Sequence, residues 1–291
     1  SAMLMDSATG EIYACSSSPT FDITDLTKIE EGATNLSSIS SSYEPGSTMK
    51  AVTMLAALEE GIVNPDTEYF CPAALKVDDY TITDSHERGD ETMSATTIIA
   101  DSSNVGVSLI ARDMGFEKLY EYIQKYQLTE TTGVDYPGEA QGYVSSRDQW
   151  SEVQGYNISF GQGLTTTPIE MIRFYAALAN NGTATQPHFL LDVPTEEEDR
   201  TYATSQITDN QSAIDQLETM MQATVDRGTG TDAQIEGYRV VGKTGTAEIA
   251  SDQGGYQQGV YNISFVGYLP DSSTNLVCFV GAYDVPGERQ T

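Results

Sequence analysis

Apolar positions recur along this chain with two different periods. From 43 to 61 the sequence reads YEPGSTMKAVTMLAALEEG, which predicts about four turns of mostly apolar helix. At about 100° per residue, Leu58, Ala51, Ile62 and Leu55 share one face, and Lys50 falls beside Met54 and Ala57. Thr53, Glu59 and Glu60 mark the wetter side. The Lys50 amine is therefore expected along an apolar face, within one turn of the Ser47 hydroxyl. Helical spacing returns in TTIIADSSNVGVSLIARDMG, FEKLYEYIQKYQL and TPIEMIRFYAALANNG. The last has Pro168 in its first turn and Gly182 just past its end, the usual punctuation of a helix. DNQSAIDQLETMMQATVDRGTG is a further helix that stops at glycine, and PTEEEDRTYATS before it reads as a charged connector.

The other period is two. AMLMDSATGEIYACSSSP predicts two short strands around a Ser-Ala-Thr-Gly turn, and SSISSSYEPGS a loop leading into the Ser47 helix. In the last fifth, YRVVGKTGTAEIA, YNISFVGYLP and TNLVCFVGAYDV are strand-like, the last two joined by a hairpin through DSS. Strands at both ends with helices between them predict a mixed α and β fold, an antiparallel sheet made from both chain ends plus an all-helical lobe. One domain is expected, with a sheet part at about 1–65 and 190–291 and a helical part at about 66–189. A cleft where the two meet is the natural place for a site.

Forty-three acidic residues against 14 basic ones give a formal charge of −29 over 291 residues, which argues against nucleic acid or an anionic membrane surface as the main partner. No apolar run approaches the roughly 18 residues of a membrane span, and no signal peptide is visible. Ser1-Ala2-Met3 looks like the scar of recombinant expression. Three scattered cysteines, Cys15, Cys71 and Cys278, give neither a disulfide framework nor a zinc site. With only His86 and His188, both read as loop or surface residues, no His-rich metal centre is expected and chemistry is expected to run without histidine.

That turns attention to serine beside lysine. Ser47-Thr48-Met49-Lys50, Ser102-Ser103-Asn104 and Lys243-Thr244-Gly245 follow one another along the chain. Each alone has an ordinary reading. A lysine on an apolar face can snorkel to water, Asp101 or Ser102 can cap a helix, and Lys-Thr-Gly can be a polar strand end. A second Ser-x-Asn, Ser273 to Asn275, reads as hairpin turn chemistry. In combination and in this order, S-x-x-K, S-x-N and K-T-G form the signature of penicillin-binding proteins and class A β-lactamases. A serine hydroxyl needs a base, and burial plus a nearby cation such as Lys243 would leave the Lys50 amine neutral enough to serve. A helix start also offers Ser47 free backbone N–H groups for an oxyanion.

The chain resembles the transpeptidase domain of class B penicillin-binding proteins, in the β-lactamase-like superfamily. TGEIYA, YEPGSTMK, SSNVG, TGVDYPGEAQG, SFGQGLTTTPIEM, AALANNG and VVGKTGTAE carry the likeness, over roughly residues 3 to 285. The resemblance implies a serine D-Ala-D-Ala transpeptidase without cofactor or metal, cross-linking peptidoglycan stem peptides to an amine acceptor and acylated by β-lactams. It makes Ser47 the nucleophile, Lys50 its base and Ser102 the proton relay. Asn104, Lys243, Thr244, Gly245 and Thr246 would bind substrate, with Gly245 keeping the strand edge open. The backbone N–H groups of Ser47 and Thr246 would form the oxyanion hole. It also implies a place on the outer face of the bacterial cytoplasmic membrane and partners such as glycosyltransferases or elongation and division complexes.

The family's N-terminal anchor and pedestal are not in this sequence, nor is the helix that usually follows the last strand, so one sheet face is expected to be less covered. Rival readings are a β-lactamase, a D,D-carboxypeptidase and a β-lactam sensor or scaffold of the same fold. Glu139, in PGEAQGYVSS, is a poor match for a deacylating glutamate and reads as a turn residue.

Overall fold

The computed structural model describes residues 1–193, 200–250 and 256–287. Its central sheet has five antiparallel strands in the order β2-β1-β11-β10-β9. These are β1 (Ala2–Asp6), β2 (Ile12–Ser16), β9 (Val241–Ala250), β10 (Tyr256–Tyr268) and β11 (Leu276–Pro286). The sheet is thus closed by pairing the first strand with the last: Met3 faces Phe279 and Met5 faces Val277. Alternation decides the register, because Met3, Met5, Val277, Phe279 and Val266 all turn to the core while Leu4, Cys278 and Val280 face outward. Ser1-Ala2-Met3 takes part in this sheet: Ser1 N donates to Gly281 O at 2.6 Å and Met3 is a core residue. The first six residues of the charged connector, 194–199, lie outside the described residues.

The SSISSSYEPGS loop contains a single helical turn, α1 (Ser37–Ser40), and then a 3₁₀ turn, Gly46–Thr48, which leads into α2 (Met49–Glu59). The wetter side expected of α2 does not exist over most of its length. Met49 to Leu58 are all buried, Thr53 included, whose hydroxyl donates to Ser159 O at 2.8 Å. A helix surrounded on every side has no amphipathic stripe to read. It packs against α4 (Asn104–Met114), α5 (Phe116–Lys125), α6 (Glu152–Ser159) and α8 (Gln211–Arg227), and so forms the axis of the molecule.

Two parts of the expected division change. The segment after α2 is not purely helical: β3 (Glu68–Cys71) pairs with β6 (Glu91–Ser94), and β4 (Ala74–Val77) with β5 (Tyr80–Thr83). Short exposed strands of alternating polar residues give little apolar signal, which hides them in sequence. α3 (Ala95–Ala100) follows β6 directly. The second change concerns α7 (Pro168–Ala179), placed with the helical lobe by sequence position. It packs on β1, β10 and β11, so it covers the sheet.

The ends of α7 are as its punctuation suggests. Thr167 Oγ1 accepts from Glu170 N at 3.2 Å while the Glu170 carboxylate accepts from Thr167 N at 2.7 Å, a reciprocal cap, with Pro168 at the first helical position. β7 (Thr183–Thr185) and β8 (Thr204–Gln206) form a small hairpin beyond it. His188, expected near the surface, is 3% exposed and stacks on Tyr202, whereas His86 lies on an exposed loop.

Because α2 is fully enclosed, truncating its core side chains leaves cavities that cannot collapse easily. Leu55→Ala is expected to cost about 2–5 kcal/mol, read as a lowered denaturation midpoint with unchanged slope.

Candidate active site

Ser47 sits in the 3₁₀ turn at the head of α2, and Gly46 in the turn together with Gly161 and Gly245 facing it allow close approach. Gly46 has φ +54, and a Cβ there would lie 2.6 Å from Thr246 O; a Cβ on Gly161 would lie 2.0 Å from Gly46 O. Gly46 N donates to Gly161 O at 3.0 Å. Three stretches of main chain therefore touch with no side chain between them, and the turn bearing Ser47 is set directly against β9. Gly245 serves the same contact. Its missing Cβ makes room for Ser264 Oγ, Thr48 and Pro45 O, so the glycine admits the protein's own turn.

Ser47, Ser102, Asn104, Thr244 and Thr246 line one narrow slot, with Ser85 and Thr229 as further walls. The slot has a free volume of about 10 Å³, room for a single water. Thr229 Oγ1 and Thr244 Oγ1, 2.6 Å apart, span it on one side. The same Thr229, Thr244 and Thr246 also wall a roomier hollow of about 360 Å³, with Ile263 and Phe265 on β10 behind them.

The two lysines lie behind this surface. Lys50 and Lys243 are both 0% exposed. Lys50 Nζ donates to Ser102 O at 2.5 Å and to Ser102 Oγ at 3.1 Å, and Lys243 Nζ reaches the same Oγ at 3.0 Å. The first and third motifs thus converge on the second. Ser102 itself is no helix cap. It adopts φ +60 between α3 and α4, and Ser103 caps α4 by accepting from Gly106 N. The Asn104 amide is tied down by a bond from Nδ2 to Thr83 O at 3.0 Å. The second Ser-x-Asn is in a turn before β11, with Asn275 at φ +51.

Burial lowers the Lys243 pKa from 10.5 to about 7. The cause is plain from its partners, which are the hydroxyls of Ser102 and Thr244 and the Thr244 carbonyl, all neutral. The lysine expected to supply a standing charge is therefore itself close to losing it. Close by, Asp84 is held below its usual range. Burial opposes its ionisation, and hydrogen bonds from Val105, Arg88 and Ser103 outweigh that. Glu139 closes its own loop by accepting from Thr132 N and Oγ1 and from Gly133 N, the turn role read from sequence.

Asp84, Ser85 and Thr229 were missed in sequence. Asp84 and Ser85 lie in a polar loop without periodicity, and Thr229 was read only as part of a helix stop. Among the described residues no group of His, Cys, Asp and Glu could hold a metal, and no helix is long and apolar enough to cross a membrane.

A mixed sheet-and-helix domain with this slot belongs to a class of proteins already known. Residues 1–290 match the family described as penicillin binding protein transpeptidase domain, and the chain belongs to that family. It is 35% identical over 284 residues to the penicillin-binding protein PbpB of Mycolicibacterium smegmatis, covering 93% of this chain and 44% of that protein. Against stage V sporulation protein D of Bacillus subtilis the identity is 31%, over 99% of this chain and 46% of the relative. The chain therefore spans about half the length of these relatives. The crystal structure of penicillin-binding protein 3 from Mycobacterium tuberculosis, complexed with aztreonam, superposes with a TM-score of 0.88 at 32% identity, covering 98% of this chain and 66% of that one.

The Lys243 amine should destabilise the fold in a defined pH window. Its folded pKa lies below the unfolded value, so the unfolded chain binds more protons between about pH 7 and 10.5, and stability rises with pH across that range. At pH 7 the cost is on the order of 4 kcal/mol. Lys243→Met is expected to be the more stable protein at pH 7, with the difference shrinking toward pH 10. Denaturant titrations at several pH values measure this, and parallel curves for the two proteins would contradict it.

Proposed function

We propose that this domain is a serine D,D-transpeptidase that cross-links peptidoglycan stem peptides ending in D-Ala-D-Ala. The observation that carries the reading is the single Ser102 hydroxyl bonded by two buried amines beside Ser47 in one slot. Ser47 Oγ attacks the carbonyl of the penultimate D-alanine and gives its proton to the neutral Lys50 amine. The oxyanion that forms is held by the backbone N–H groups of Ser47 and Thr246, donors of a kind typically worth about 3–4 kcal/mol. As the tetrahedral intermediate collapses, the proton passes from Lys50 through Ser102 to the departing D-alanine nitrogen, leaving an ester on Ser47. An amine of a second stem peptide then attacks the ester, its proton returns by the same groups, and Ser47 is regenerated with the new amide released.

Thr244, Thr246 and Lys243 bind the terminal carboxylate in this reading, and Asn104 the peptide amide. A carboxylate beside Lys243 favours its ammonium form, so a group poised near neutrality takes up a proton when substrate binds and returns it afterwards. A β-lactam acylates Ser47 in the same way but keeps its leaving nitrogen tethered, so the ester persists. The parent protein would work on the outer face of the cytoplasmic membrane with a membrane anchor and, alongside it, glycan-polymerising or elongation and division partners.

A fluorescent penicillin is expected to label the protein covalently one-to-one, and Ser47→Ala to remain unlabelled. A wild-type protein without label overturns the proposal. Sustained nitrocefin hydrolysis would instead indicate a β-lactamase, and release of D-alanine without a cross-linked product, in the presence of an amine acceptor, a carboxypeptidase.

A further inference from the structure

The Ser102 turn is an awkward piece of backbone. α3 ends at Ala100, Ser102 takes a left-handed conformation uncommon for a side-chain-bearing residue, and α4 begins at Asn104. Such a conformation persists only where its surroundings hold it. The holding group is Asp84. Its Oδ1 accepts from Ser103 Oγ at 3.1 Å and Val105 N at 3.0 Å, and its Oδ2 accepts from Ser103 Oγ at 2.9 Å. The preceding residue takes the one between, since Thr83 O accepts from Asn104 Nδ2. Two consecutive residues at the end of β5 thus grip three consecutive residues at the start of α4.

Asp84 is in turn fixed from behind. Arg88 Nε donates to Asp84 Oδ2 at 2.6 Å, and Arg88 NH1 donates to Cys71 O at 2.9 Å and Gly89 O at 3.0 Å. The Asp84 side chain is 2% exposed and that of Arg88 9%, so this is a dry, charge-assisted clamp anchored on β3.

We propose that Asp84 is a positioning residue for the acyl-transfer reaction: by clamping Ser103 and Val105 it places the Ser102 hydroxyl where both buried lysines reach it. The proposal rests on the transpeptidase reading above. Asp84 touches neither substrate nor Ser47 and acts through the turn. Loss of its grip lets Ser102 relax toward ordinary backbone, which lengthens one or both of the lysine bonds and breaks the proton path.

The test is stopped-flow acylation by a fluorescent penicillin, giving the limiting rate and the half-saturating concentration, normalised to titrated active sites. Asp84→Asn keeps the size of the side chain but loses one acceptor and the charge. It is expected to slow the limiting rate by about 10- to 100-fold with little change in half-saturation. Ser103→Ala removes only the hydroxyl bridge and is expected to slow it less, in the same direction. A purely structural role would lower the melting temperature and the number of active sites while leaving the rate per site intact, and that result overturns the proposal. Should D84N fail to fold, an undiminished limiting rate in S103A overturns it equally. A labelled wild type with an equally fast D84N sinks this proposal alone, whereas an unlabelled wild type sinks the transpeptidase reading and this one with it.

Discussion

Two lysine amines, both shut off from water, donate to one serine oxygen. The two nitrogens lie within about 6 Å of each other by that shared partner, and in a dry site two ammonium groups so placed repel strongly. Among the described residues Lys243 has no carboxylate as a hydrogen-bond partner to offset its burial, which is why its proton is loosely held near neutral pH. A folded chain does not keep such an arrangement for stability. Here stability is given up at one place, and the proposed proton exchange between amine and hydroxyl gives a reason for it. The enclosed α2 and the five-stranded sheet supply the rigid, apolar frame that makes the sacrifice tolerable.

The frame also has to bring three distant parts of the chain to one point. Ser47 arrives on the head of α2, Ser102 on the joint between α3 and α4, and Lys243 on β9. Main-chain contact sets the first of these against the third, through Gly46, Gly161 and Gly245. Side-chain hydrogen bonds set the second, through Asp84 and Arg88. Ser47 is thus located by atoms that cannot rotate away, while Ser102 depends on groups that can be exchanged one at a time.

Much of this was legible in the sequence, for physical reasons that differ from part to part. Alternation gave the end strands and their common sheet, since one face of each is buried. Pro168 and Gly182 bracketed α7 because first-turn and post-helix positions have strict backbone needs. Three spaced motifs pointed to six side chains and one glycine, the family resemblance added Thr246, and the structure brings these residues close together. What stayed hidden is equally physical. The hairpins of β3 to β6 carry few buried residues and so no strong pattern. The side on which α7 packs is a tertiary matter, invisible to a helix buried nearly all round. Asp84 lies 19 residues from Ser103 with no periodic relation to it. Lys243 was expected to carry a fixed charge because the neutrality of its surroundings is a property of packing.

β9 ends the sheet, and the outermost strand of a sheet is the kind of margin along which strands of separate molecules zip together into aggregates. In this protein the Gly46 turn packs against that strand at Thr246. Part of β9 is therefore already covered by the protein's own backbone, which leaves less of the strand for a second copy to reach.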